Sequence, residues 1–168
     1  MARTSARNLS SRNLLTMPKL SNADYRSLAA LRYEIRKFLS FSEQAAREAG
    51  IEPQQHQLLL AVRGLPETLR PTIRTISERL CVQHHTAVAL VDKLEARGLL
   101  QRERSTLDRR EVLLRLTEDG AELLRGLSTQ HRQQLQTVGP ALLTALQTIA
   151  AGQARRPRTS SAALAASD

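Results

Sequence analysis

Two adjacent histidines, His84 and His85, open the run "HHTAVALVDKLEARG", and adjacent imidazoles raise the prospect of metal or acid–base chemistry. Helical geometry counts against one shared ion. Neighbouring side chains on a helix diverge by about 100°, whereas helical metal ligands normally sit at i, i+4. The remaining histidines, His56 and His131, are distant in sequence, and no His/Cys/Asp ligand cluster accompanies them. Cys81 is the single cysteine, so an intramolecular disulfide is excluded. Placed just before the histidines, it is expected to be a small, partly buried packing residue rather than a redox centre. There is no Gly-rich phosphate loop and no Ser-centred nucleophile motif, so the expectation is no enzyme, no cofactor and no metal. What remains for His84 and His85 is a helix start that meets a polar partner. There the rings donate or accept hydrogen bonds.

Bulk composition narrows that partner. The 168 residues fit one compact domain. Lys+Arg exceed Asp+Glu by 25 to 16, giving +9, which favours a polyanion: DNA, RNA or an anionic membrane. Aromatics are only 2 %, with no Trp, which argues against base stacking on single strands. No apolar run approaches the ~20 residues of a membrane span, so no membrane partner is expected. The lone cysteine fits a reducing, cytoplasmic setting. Residues 1–20 carry Arg3, Arg7, Arg12 and Lys19 without an acid. They resemble a transit peptide in composition but lack a clean amphipathic stripe, so a disordered basic arm is the preferred reading.

The elements that must position the histidines follow from periodicity. N-cap candidates at 21–24 precede a stripe of Leu28, Leu31, Ile35, Phe38 and Leu39, predicting a helix over about 22–49 that needs a packing partner along its length. Pro53 suits the first turn of a second helix. Thr72 or Thr75 caps a third, with Ile73, Ile76 and Leu80 inward, Thr72 fitting the spacing better. Cys81-Val82-Gln83 interrupts the pattern for three residues. A fourth helix runs from about His84 to Arg97 with Val88, Val91 and Leu94 inward, and Gly98 follows its end. Leu100 to Ser105 and the alternating Val112, Leu114 and Leu116 predict two strands around a charged turn. Thr117 caps a long helix to about Val138, Gly139-Pro140 is expected to break it, and a last helix follows. The chain is then expected to be disordered over 153–168.

Two short helices across a three-residue turn, followed by a hairpin, make a winged helix-turn-helix. Its second helix fits a major groove with its N-terminal turn toward base edges and phosphates. A thin hairpin can lay an arginine against the neighbouring minor groove. This hairpin is basic, with Arg97, Arg102, Arg104, Arg109, Arg110 and Arg115 against Glu103, Asp108 and Glu111.

The stretch "TIRTISERLCVQHHTAVALVDKLEARGLLQRERSTLDRREVLLRLTEDG", residues 72–120, resembles the MarR family of bacterial winged-helix regulators. Its most specific part is Asp108-x-Arg110-x-x-x-Leu114-x-Leu116-Thr117-x-x-Gly120. The resemblance implies a mainly α fold with a small β-hairpin wing, in which long N- and C-terminal dimerisation helices flank the lobe. The expected organisation is a single domain over 21–152, with the winged helix-turn-helix at about 53–117 and dimerisation helices at about 22–49 and 118–151. It also implies recognition-helix contacts from Gln83, His84, His85, Thr86, Ala89 and Lys93. The wing contacts would come from Arg104, Asp108, Arg109 and Arg110, with Asp108 holding Arg110 by a charge-assisted hydrogen bond. Thr72, Arg74 and Arg97 are the expected backbone contacts. Relatives often hold small phenolic or aromatic effectors, and Tyr25, Arg32, His56 and Arg63 are the candidates to line such a pocket here. The family often has Gly where this chain has Cys81.

The function expected is that of a homodimeric, sequence-specific double-stranded DNA-binding transcriptional regulator. It would be a repressor on a palindromic operator, released by a small effector. The alternatives are a winged-helix protein-interaction module that does not read DNA and a sequence-indifferent basic DNA binder.

Overall fold

A computed structural model of the chain describes residues 20–106, 108 and 110–154. The arm over 1–19, Arg109, and the tail beyond 154 lie outside the described residues. The elements run α1 (Asn22–Glu48), α2 (Pro53–Arg63), α3 (Ile73–Leu80), α4 (His84–Ala96), β1 (Leu100–Arg104), β2 (Val112–Leu116) and α5 (Glu118–Ala154). Two compact units result: Glu34–Pro140 holds the winged lobe, and the other comprises the outer helix ends, 20–33 and 141–154.

Local chemistry sets the boundaries in the lobe. Glu52 and Gln55 form a reciprocal capping box ahead of Pro53 at the start of α2. Thr72 is the N-cap of α3, its hydroxyl accepting the Thr75 N–H at 3.2 Å. Cys81 ends α3 at φ 55°, ψ 38°. This left-handed conformation costs an L-residue about 1–2 kcal/mol and is the one glycine adopts freely. It is also exposed, which corrects the expectation of a partly buried packing residue. A chain that reverses direction within three residues turns the side chain at its corner outward.

The core is aliphatic, as a chain almost without aromatics requires. Leu58 and Leu59 from α2, Ile76 from α3, Leu90, Val91 and Leu94 from α4, Leu100 and Leu114 from the hairpin, and Leu124 and Leu127 from α5 form one buried cluster. On α4, Val91 and Leu94 are inward as predicted, joined by Ala87 and Leu90, while Val88 is only half-buried. The antiparallel hairpin pairs Leu100 with Leu116 and Arg104 with Val112. The Leu114 N–H reaches back to the Pro71 carbonyl at 2.8 Å, tying the hairpin to the segment before α3.

The Leu-Thr-x-x-Gly signature has a local cause. Thr117 caps α5, its hydroxyl accepting from Gly120 N–H at 3.1 Å and donating to the Gly98 carbonyl at 2.6 Å. A Cβ on Gly120 would lie 1.9 Å from the Leu99 carbonyl oxygen. Only glycine allows the first turn of α5 to rest against the turn that ends α4.

Two expectations about the long helices change. Gly139-Pro140 does not break the chain, because α5 runs from Glu118 to Ala154 through Pro140. An interior proline removes one backbone hydrogen bond, and the helix keeps the bonds on either side. The apolar stripe of α1 is left largely uncovered among the described residues: of its 27 residues only Ala45 and Ala46 are buried. Leu28, Ile35 and Leu39 are exposed, and Leu31 and Phe38 are half-buried. Among the described residues no helix is long and apolar enough to cross a membrane.

Candidate nucleic-acid interface

Because Ala87, Leu90, Val91 and Leu94 face the core, the opposite side of α4 is fixed. His84, His85, Ala89, Asp92 and Lys93 are exposed on it, as is Gln83 at the N-cap, with Thr86 half-buried at its edge. His85, Ala89, Asp92 and Lys93 recur at helical spacing, so they make one solvent stripe. The N-cap residue Gln83 makes no side-chain capping bond, which leaves N–H groups at the N-terminus of α4 directed at whatever docks there. Ala89 in mid-stripe leaves room for close approach.

The wing is braced from both sides. At its tip the Asp108 carbonyl accepts the Glu111 N–H at 3.0 Å, closing a turn. The Asp108 carboxylate accepts the backbone N–H of Arg110 at 2.9 Å. Asp108 therefore holds Arg110 through its main chain, by a hydrogen bond to a charged acceptor, and shapes the loop that carries it. An Asp two residues ahead of a backbone N–H closes such a loop at little conformational cost. At the wing root, Arg70 bonds the Ser105 hydroxyl and pairs with Glu111. Sequence reasoning missed Arg70, whose only signal was a lone cation in a proline-flanked connection. Arg115 pairs with Glu103 across the strands. Arg104 and Arg110 are exposed.

The wing is also tied to α4. Arg102 on β1 bonds Asp92 at 2.6 Å and pairs with Glu95, which also accepts the Arg102 backbone N–H at 3.2 Å. The Asp92 hydrogen bond, reinforced by Glu95, holds the Arg102 guanidinium above its ordinary pKa against partial burial. Of the expected backbone contacts, Thr72 is half-buried as a helix cap, and Arg74 is exposed in an i, i+4 pair with Glu78. Arg97 donates to the Gly50 carbonyl at 2.8 Å, just past the end of α1.

A family model for the MarR family matches residues 49–111, spanning α2, α3, α4, β1 and the wing turn up to the start of β2. The organic hydroperoxide resistance transcriptional regulator of Bacillus subtilis is 37 % identical over 107 residues, which cover 58 % of this chain and 70 % of that protein. The chain belongs to the MarR family. It is accordingly a DNA-binding transcriptional regulator and not an enzyme. Among solved structures, AbsC, a MarR family regulator from Streptomyces coelicolor, superposes with TM-score 0.63 at 18 % identity, over 84 % of this chain and 95 % of that one. The transcriptional repressor CouR, solved on a 23-mer DNA duplex, superposes with TM-score 0.56 at 26 % identity, over 82 % of this chain and 100 % of that one.

A second feature of this MarR lobe is a cavity of about 670 Å³ lined by α1, α2 and α5, including Phe38, Ser42, His56, Leu60, His131 and Leu135. His56 and His131 stack within it, ring centroids 4.7 Å apart and planes at 21°. Phe38 and Phe41 meet His131 edge-on at 5.9 and 5.7 Å. His131 bonds the Leu127 carbonyl through Nδ1 and the Ser42 hydroxyl through Nε2 at 2.7 Å. A carbonyl can only accept, so Nδ1 carries a proton. His56 is 3 % exposed, and its pKa falls from 6.5 to about 4, first from burial and second from the charge of His131. Two histidines with nothing in common in the sequence thus become one site.

Of the expected pocket residues only His56 lines this cavity. Arg63 lines a separate one, of about 880 Å³, with Pro71, Leu113, Leu116, Leu124 and Arg125. Tyr25 and Arg32 are exposed on α1 and line neither. Among the described residues no group of three or more His, Cys, Asp or Glu side chains is placed to hold a metal ion.

Proposed function

We propose that the chain works as a homodimer that reads a palindromic operator in double-stranded DNA and represses the promoter it covers. The observation that carries the reading is the single solvent stripe of α4, from His85 through Ala89 to Lys93, beside a hairpin on which Arg104, Arg110 and Arg115 are exposed. The α4 stripe occupies a major groove, with base contacts from Gln83, His84, His85, Thr86 and Ala89 and a phosphate contact from Lys93. Arg110 enters the adjacent minor groove, with Asp108 fixing the turn and Arg104 as a further wing contact; the contact expected of Arg109 stays a proposal from the sequence. Thr72, Arg74 and Arg97 serve the DNA backbone.

Dimerisation is supported by apolar surface that the chain leaves open. On the outer helix ends Tyr25, Tyr33, Leu143 and Leu146 are 58 %, 62 %, 56 % and 51 % exposed. Within the lobe unit Ile35, Leu39 and Leu135 are exposed as well. A twofold interface would bury such stripes against themselves. DNA-bound CouR supports the DNA partner. BpsR of Bordetella bronchiseptica, whose DNA binding is regulated by 6-hydroxynicotinic acid, supports a small-molecule effector. In this chain the His56–His131 cavity, apolar with a few polar groups, suits a small phenolic or aromatic effector that would shift the spacing of the paired recognition helices.

Selection of bound sequences from random duplex DNA, with and without phenolic ligands, tests the whole reading. A palindromic motif that weakens with ligand is the expected outcome, and Arg110→Ala should reduce affinity for it by about 1–3 kcal/mol while leaving the dimer intact. Enrichment of no motif, or a monomer by sedimentation at micromolar concentration, would overturn it.

A further inference from the structure

The helix proposed to enter the groove has the wrong charge for the task. Over His84–Ala96 it carries Asp92 and Glu95 against Lys93 alone, so with neutral histidines its own net charge is −1. Asp92 is not tucked away. It lies seven residues, two helical turns, after His85 on the same exposed stripe, and its side chain is 58 % exposed. DNA presents about one phosphate charge per 1.7 Å of axis, so uncompensated carboxylates there oppose docking.

We infer that Arg102, held on β1 of the wing, is the counterion of the recognition helix, neutralising Asp92 and Glu95 so that α4 can meet a polyanion. Its guanidinium spans both acids, Nη2 to Asp92 at 2.6 Å and Nη1 to Glu95. Its backbone N–H bonds the second oxygen atom of Glu95, so the pairing is fixed by β1 itself. With its side chain 27 % exposed, Arg102 is more recessed than Asp92, which suits a positioning and neutralising residue rather than a phosphate contact. The placement also joins two reading elements: the cation comes from the wing and the anions from the helix, so the helix surface is charge-compensated only while the wing is docked.

This inference rests on the proposed DNA-reading face of α4, and affinities on a selected operator test it separately. Arg102→Gln should weaken binding about tenfold at 0.1 M salt, by exposing two carboxylates within a Debye length of phosphate. Arg102→Lys, which keeps the charge and loses the fork, should stay near native. The decisive variant is Arg102→Gln with Asp92→Asn and Glu95→Gln, in which the charges vanish together and affinity should return to within about threefold of native. Asp92→Asn alone should leave binding unchanged or tighter. A triple variant as weak as Arg102→Gln would show that Arg102 acts by geometry and would overturn the inference. So would native affinity in Arg102→Gln, or a loss in Asp92→Asn, which would make Asp92 a base contact. If the native chain itself selects no duplex, the reading of the face fails instead.

Discussion

Acidification should destabilise this protein through His56. The ring is buried and stacked on His131, and its pKa in the folded chain is about 4 against 6.5 when unfolded. Between those values the unfolded chain binds the proton that the folded chain refuses, so stability rises with pH across the window. The stabilisation is therefore complete above pH 6.5 and is lost as pH falls toward 4. Linkage with these two values gives a loss of about 2 kcal/mol at pH 5 and about 3 kcal/mol at pH 4, relative to pH 8. Against the 5–15 kcal/mol typical of a domain, such a loss is a measurable fraction. Urea unfolding followed by circular dichroism at pH 7.5, 6, 5 and 4.5 would read it, at fixed protein concentration because self-association would add to stability. Carboxylates titrate in the same range, so the comparison is with His56→Gln, which keeps a polar side chain and removes this proton. The native curve should fall below that of the variant by about 2 kcal/mol more at pH 5 than at pH 7.5. Parallel curves would refute the reasoning, because they would mean that the ring charges in the folded state as easily as in water.

Three further outcomes follow from particular contacts. Gly120→Ala sets a Cβ against the Leu99 carbonyl at 1.9 Å and should cost about 1–3 kcal/mol in urea unfolding, with an unchanged midpoint counting against the close approach. Cys81→Gly relieves the left-handed conformation at φ 55° and should stabilise by about 0.5–1 kcal/mol, so a lowered melting temperature would contradict the strain. Arg70→Ala frees the wing root from the connection before α3 and should weaken operator binding by about 1 kcal/mol with the far-ultraviolet spectrum unchanged; native affinity in a gel-shift titration would show that the wing positions itself.

Much of the lobe was legible because its determinants are local. Thr72, Pro53, Thr117 and Gly98 act on backbone groups within a few residues, and apolar periodicity marks which side of α3 and α4 turns inward. The exposed stripe on α4 followed from the same pattern, since burying Ala87, Leu90, Val91 and Leu94 leaves His85 and Lys93 outside. Cys81 was misplaced because a turn residue has no periodicity to reveal its exposure. Gly139-Pro140 misled because a proline's local penalty does not decide whether a long helix continues past it.

By itself the sequence determined the order of the elements, the helix-turn-helix, the charged wing and the family signature, all written in spacings of a few residues. The tertiary structure decided which distant side chains meet. His56 and His131 are 75 positions apart and become a stacked pair, Arg70 reaches Ser105 and Glu111, and Arg102 crosses to Asp92 and Glu95. The tertiary structure also decided which group of Arg110 the Asp108 carboxylate binds, the backbone N–H. Local hydrogen bonds and periodicity are properties of neighbouring residues, whereas these partnerships exist only once one buried aliphatic cluster has brought helices and hairpin together.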